Sequence, residues 1–219
     1  MRTPARLLLS VAALLELSGC MPLPMLQDAR IVPDGQTRYG VGGGLIVSLD
    51  EETVYEPDGK SSAAETVELQ YYPLPYLSGW GRIGLGSGAE LQVGFQLPSF
   101  GISLGAKYGL VGRDKGSPAS LAVSTDLTVS PVMVDWGVGG SLHASFRLVE
   151  GVSLDVTGRF GTFLGQWNAP AVTAALGVTL DDSDNEQWHI VAGWAQPVPI
   201  PGIEGKSVQA GFLTVAWTK

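Results

Sequence analysis

Alternation of polarity, sustained over runs of about ten residues, is the feature that most limits what this chain can become. Glu90-Leu91-Gln92-Val93-Gly94-Phe95-Gln96-Leu97 puts a polar residue or glycine at every even position and an apolar one at every odd position. The stretch from Ser120 to Val129 repeats the pattern. From Asp135 to Leu148, Asp, Gly, Gly, Ser, His, Ser and Arg alternate with Trp, Val, Gly, Leu, Ala, Phe and Leu. A period of two belongs to a β-strand, whose successive side chains leave opposite faces. No segment beyond residue 20 holds a helical period.

Ten such runs are expected, near 38–49, 66–84, 89–97, 101–111, 118–129, 132–148, 152–164, 171–181, 187–196 and 206–218, each bounded by Gly, Pro, Asp or Ser. The second is interrupted by Pro73 and Pro75, so it reads as two pieces or as a strand starting near Tyr76. The fold class is all-β: an antiparallel up-and-down barrel of eight to twelve strands, ten preferred.

Alternation alone leaves open which face is wet. A soluble barrel or sandwich hides Leu, Val and Phe inside, whereas a membrane-spanning barrel turns them to lipid and lines its lumen with the polar face. Two features favour lipid. The polar face is mostly Gly, Ser, Thr and Ala, and charged residues are only 16% of the chain, against ~25% in a typical soluble domain. Its charges also balance, with Arg82, Lys107, Arg147 and Arg159 facing Glu90, Asp126, Asp135 and Asp155, as a closed interior requires. Runs of nine or more residues suit a tilted crossing of the bilayer. Aromatics near run ends (Tyr39, Trp80, Tyr108, Trp136, Phe146, Trp188, Trp194, Trp217) suit interfacial girdles. No downstream segment is apolar for long enough to make a transmembrane helix.

The N-terminus has a different composition. Arg2 and Arg6 precede an apolar stretch from Leu7 to Leu15, and Leu17-Ser18-Gly19-Cys20 follows. This resembles the bacterial lipoprotein signal, in which the cysteine is acylated and becomes the first mature residue. The resemblance implies a signal peptide over 1–19, diacylglycerol and an N-acyl chain on Cys20 and no other cofactor. Residues 20–37, where Pro22, Pro24, Pro33 and Gly35 break regular structure, read as the lipidated tether, and the runs over 38–219 as the barrel. Removing residues 1–19 takes away Arg2, Arg6 and Glu16 and moves the formal charge from −8 to −9, which argues against nucleic acid as a partner. With Cys20 acylated, the single cysteine is spent, and no disulfide or thiolate metal site is expected.

The final run, Phe212-Leu213-Thr214-Val215-Ala216-Trp217-Thr218-Lys219, resembles the C-terminal signal of outer-membrane barrels. With the lipobox and the long hairpins, the chain resembles small bacterial outer-membrane β-barrel proteins. That likeness implies residence in the outer membrane with both termini in the periplasm, and membrane lipid as a partner.

One sequence constellation fits catalysis. His143-Ala144-Ser145 places an imidazole and a hydroxyl on the same strand face, the arrangement that activates a serine for acyl transfer. It resembles the His-x-Ser of outer-membrane lipid A 3-O-deacylases, although Phe146-Arg147 follows here. Parity places His143 in the lumen with Asp135 and Arg147, away from lipid, so a lumenal histidine bonded to its neighbours is preferred. The acidic run Asp181 to Glu186 lacks the glycine and spacing of a calcium loop and reads as a solvated turn. Gly40-Val41-Gly42-Gly43-Gly44 precedes no Gly-Lys-Ser/Thr and reads as close packing within a small barrel. Gln196 to Gly202 reads as an extended, proline-rich loop. No metal site is expected.

The function expected is non-enzymatic: an outer-membrane lipoprotein barrel with a structural, narrow-pore or small-ligand role, whose partner beyond lipid is a small ligand or an envelope protein. The alternatives are a tethered periplasmic barrel holding an apolar ligand, and a lipid acyl hydrolase using Ser145 and His143.

Overall fold

Ten strands close on themselves in the computed structural model, which describes residues 27–53, 67–97, 100–113, 116–130, 135–163, 170–181, 186–198 and 209–219. They are β1 (Thr37–Thr53), β2 (Val67–Gly86), β3 (Ala89–Leu97), β4 (Gly101–Val111), β5 (Ala119–Ser130), β6 (Asp135–Val149), β7 (Val152–Phe163), β8 (Pro170–Asp181), β9 (Gln187–Pro197) and β10 (Gln209–Thr218). Every strand pairs antiparallel with its sequence neighbours, and β1 closes the barrel on β10 through Gly40↔Thr218 to Leu49↔Gln209. The ten strands are those expected from the alternation, within a few residues at each end. Closure leaves no edge strand, as a hydrocarbon medium demands, although the ends of β1 and β2 extend beyond the closed ring.

Pro73 and Pro75 do not split the second strand; they stand within β2, opposite Val47 and Leu45 of β1. β2 meets β3 only from Leu77 onward, so in this stretch it has one partner strand. A missing N–H on the open side breaks no ladder bond.

Parity then sorts the side chains. Leu77, Leu91, Val93, Phe95, Leu104 and Leu142 point outward and are exposed, while Arg82, Glu90, Gln92, Lys107, His143 and Arg159 point inward and are buried. This is the reverse of a barrel with an apolar interior in water, so the tethered soluble alternative has its faces the wrong way round. Tyr108, Trp188 and Trp217 lie outward near the rim where β1 begins and β10 ends, and Trp136 and Trp194 near the opposite rim. Tyr39 and Trp217 stack edge to face with centroids 6.1 Å apart. Trp80 was expected in the girdle, but the parity that turns Arg82 inward turns Trp80 inward too.

Trp80 joins Ile46, Tyr76, Val191 and Phe212 in a buried apolar cluster inside the wall formed by β1, β2 and β8–β10. The glycines of β1 make room for it. A methyl group on Gly40 would lie 2.5 Å from the Trp80 ring. The Tyr76 hydroxyl crosses Gly44 to reach the Thr214 hydroxyl on β10. Close packing thus accounts for the glycine run, as expected.

Candidate functional site: a segment seated in the lumen

The rim where β1 begins is stopped from within. Residues 27–34, expected as part of the lipidated tether over 20–37, enter the lumen, and Gln27, Asp28, Ala29, Arg30 and Val32 are buried there. Residues 1–26, with Cys20 and the rest of the tether, lie outside the described residues. Asp34 bridges to Gly84 at the rim, and Gly35 and Gln36 exchange backbone bonds with the same residue. From there the chain runs inward. Glycines allow its approach: a side chain on Gly84 would collide with the Val32 and Pro33 carbonyls, and a methyl on Gly109 would lie 2.8 Å from Ile31.

The wall binds the backbone of this segment as well as its side chains. The Val32 N–H donates to Glu90 Oε2 at 2.8 Å and the Ala29 N–H to Ser145 Oγ at 2.7 Å. Lys107 Nζ donates to the carbonyls of Asp28 at 2.6 Å and Arg30 at 3.0 Å. The Gln27 and Gln92 amides bond reciprocally at 2.8 and 3.1 Å. Unpaired backbone groups cost roughly 1–3 kcal/mol each when buried, so a segment without regular structure is held in place by these contacts.

Charges complete the seat. Glu90 lies 3.4 Å from Arg82 Nη1 and 3.7 Å from Lys107 Nζ, and it accepts from Gln92 at 2.8 Å. Asp28 Oδ1 lies 3.6 Å from Arg82, and Asp28 Oδ2 lies 3.3 Å from Arg30 Nε. Arg30 donates to Asp181 Oδ2 at 3.0 Å and to Ser153 Oγ at 2.5 Å. Burial by itself would raise the Asp28 carboxyl, but Arg82, Lys107 and Arg30 outweigh it and hold the group well below the usual carboxylate range. Burial works against the Arg30 charge, yet Asp28 and Asp181 raise its affinity for the proton.

The eight charges expected as one lumenal network divide. Arg82, Glu90 and Lys107 surround the inserted segment. Arg159 and Asp126 form a separate bidentate pair, with Arg159 Nη2 donating to Asp126 Oδ2 at 2.7 Å. Asp155 accepts from Ser145 Oγ at 2.5 Å and from Thr179. Arg147 has the inward parity but stands near the turn, at the last pairing before a register shift between Arg147 and Val149, and is exposed there. Asp135 pairs with Ser130 in the ladder; its side chain lies outside the described residues.

His143 and Ser145 are both buried on the lumen face but serve different partners. His143 contacts Ser124 at 2.9 Å and Thr157 at 3.2 Å, whereas Ser145 donates to Asp155 and accepts from Ala29. The serine hydroxyl is therefore engaged on both sides without the imidazole, beneath the inserted segment and away from lipid. Sequence reading missed Asp28, Arg30 and Asp181. Asp181 begins the acidic run that reads as a solvated turn, but it is part-buried and receives both Arg30 and Gln187. Residues 182–185 lie outside the described residues.

No protein-family model matches the chain, and no curated protein matches it. Solved structures resemble it in fold. The COG4313 outer membrane channel from Pseudomonas putida F1 aligns with a TM-score of 0.51 at 10% identity, over 90% of this chain and 99% of that one. The CymD monoaromatic hydrocarbon channel gives 0.45 at 8% identity, over 86% and 89%. The outer membrane protease OmpT from Escherichia coli gives 0.42 at 9% identity, over 89% and 98%. This chain has the closed antiparallel fold of outer-membrane β-barrel proteins.

Proposed function

We propose that the protein is a lipid-anchored outer-membrane barrel whose narrow passage is closed by its own residues 27–34. The observation that carries this reading is the seating of Asp28 and Arg30 inside a polar lumen whose exterior is apolar. A barrel used only as a scaffold needs no charged segment drawn into it against the desolvation of two ions. A passage that must stay shut does. The P. putida protein of similar fold is named a channel, which agrees with this reading. Acylation of Cys20 would hold the segment's upstream end near a membrane surface, with the termini in the periplasm; no cofactor beyond those acyl chains is invoked.

The test is conductance in planar bilayers. The wild-type protein should be nearly silent, and a variant with residues 27–34 replaced by a Gly/Ser linker of equal length should conduct. Both should migrate differently on gels with and without boiling, the mark of a folded barrel. A folded linker variant as silent as wild type would overturn the plug.

A further inference from the structure

The inserted segment is also a guide to what the lumen recognises. Asp28 and Arg30 carry opposite charges two residues apart and pair with each other at 3.3 Å, and beyond that pair the wall meets them on opposite sides. Asp28 lies beside Arg82 of β2 and Lys107 of β4, which among the described residues share one wall carboxylate within ion-pair distance, Glu90. Arg30 reaches Ser153 of β7 and Asp181 of β8, and it also lies in the field of Asp155 of β7. In the closed strand order, β2 and β7 are five steps apart in a ring of ten, so they face each other across the lumen. Among the described residues, Arg82 and Lys107 thus have one wall carboxylate within ion-pair distance for two cations, while Asp181 takes its ion pair from Arg30 and also lies in the field of Arg38 of β1. The segment supplies one charge of each sign.

The fit is made by charge and is incomplete in hydrogen bonds. Among the described residues, both Asp28 carboxylate oxygens are buried without a hydrogen-bond partner, and so is Arg82 Nε. A carboxylate free to orient itself would recover bonds that the chain-tethered Asp28 forgoes.

We propose that this level of the lumen is a binding site for a small dipolar ligand bearing a carboxylate at one end and a guanidinium or ammonium group at the other. Free amino acids and short peptides are of this class, and Asp28 and Arg30 occupy the site as an internal stand-in. The proposal rests on residues 27–34 being a displaceable plug. A simple anion would satisfy only the Arg82 and Lys107 side, and a simple cation only the Asp155 and Asp181 side.

The test is calorimetric titration of the detergent-solubilised linker variant. The probes are the capped pentapeptide Gln-Asp-Ala-Arg-Ile (residues 27–31), its isomer with Asp and Arg exchanged, its Asn/Gln neutral form, and acetate. The pentapeptide should bind saturably and at least tenfold more tightly than the other three. Arg82→Gln in the linker background should weaken it by at least tenfold, and wild type, with its site filled, should not bind it. Equal affinity for the charged and neutral peptides, acetate binding as tightly as the peptide, or no binding by a folded, conducting variant would each refute the ligand class. A folded linker variant that stays silent refutes the plug instead, so the two failures are separable. Should the linker variant not fold, the full chain carrying Asp28→Ala and Arg30→Ala replaces it. Free arginine should raise the gel-shift temperature of that variant but not of wild type, and no rise would refute the site.

Discussion

Glu90 has no solvent exposure, and its stability as an anion depends on a few neighbours: Arg82, Lys107, Gln92 and the Val32 N–H. Burying an ion in a narrow interior costs several kcal/mol unless partners replace its water, and removing one partner strands the others. Glu90→Ala takes from Arg82 and Lys107 the wall carboxylate they share and leaves Asp28 to offset two buried cations. It should destabilise the barrel by about 3–5 kcal/mol, the cost of breaking a buried pair from one side. Urea unfolding in micelles reads this as a lowered midpoint; a loss under about 1 kcal/mol would mean that water reaches the cluster, as at a surface pair. Parity made Glu90, Lys107 and Arg82 legible as lumenal, because polarity along a strand reports the face. It could not report depth. Arg147 shares the parity of His143 and Ser145 but stands where the ladder shifts register, and it is exposed.

For the inserted segment, order comes from contacts rather than from regular structure, and this is why its burial was not legible in the sequence. Pro33 and Gly35 forbid a strand or helix there. A segment can be ordered by the groups of a distant wall, and no local period records the pairing of Asp28 with Arg82 and Lys107. The same pairing gives the segment a pH response. The Asp28 carboxyl is held below its ordinary value by Arg82, Lys107 and Arg30 despite burial, so the seated state favours the ionised form. Its contribution is fully present above the free carboxylate value of ~3.9 and is lost as pH falls through the depressed seated value. Each unit of pH in that interval removes up to about 1.4 kcal/mol of seating. Wild-type conductance should therefore rise reversibly on acidification below about pH 4. In Asp28→Asn it should already be raised at neutral pH and change less on acidification. Identical pH profiles for the two proteins would assign the response to other carboxylates.

The whole molecule is arranged around two surfaces of opposite character, and the alternation that revealed ten strands could not say which one met lipid. The outward positions do say it: along β6, Trp136, Val138, Leu142, Phe146 and Leu148 are all exposed, with Gly137, Gly139, Ser141, His143 and Ser145 buried between them. In water such a band would be a large aggregation-prone surface; in hydrocarbon it is the expected exterior. The two environments predict different costs for the same substitution at two depths. Leu142 stands at the middle of β6 (Asp135–Val149), and Leu148 beside the turn at its end. In a bilayer, Leu142→Arg should cost about 2–4 kcal/mol and Leu148→Arg about 0–1 kcal/mol, because the penalty follows depth in the hydrocarbon. In a protein whose exterior met water, each would lie within about 0.5 kcal/mol of wild type, as surface substitutions do. Reversible folding into vesicles, followed by denaturant titration, measures both. A steep difference places mid-β6 in the hydrocarbon, and equal tolerance at the two positions is incompatible with a barrel that spans it.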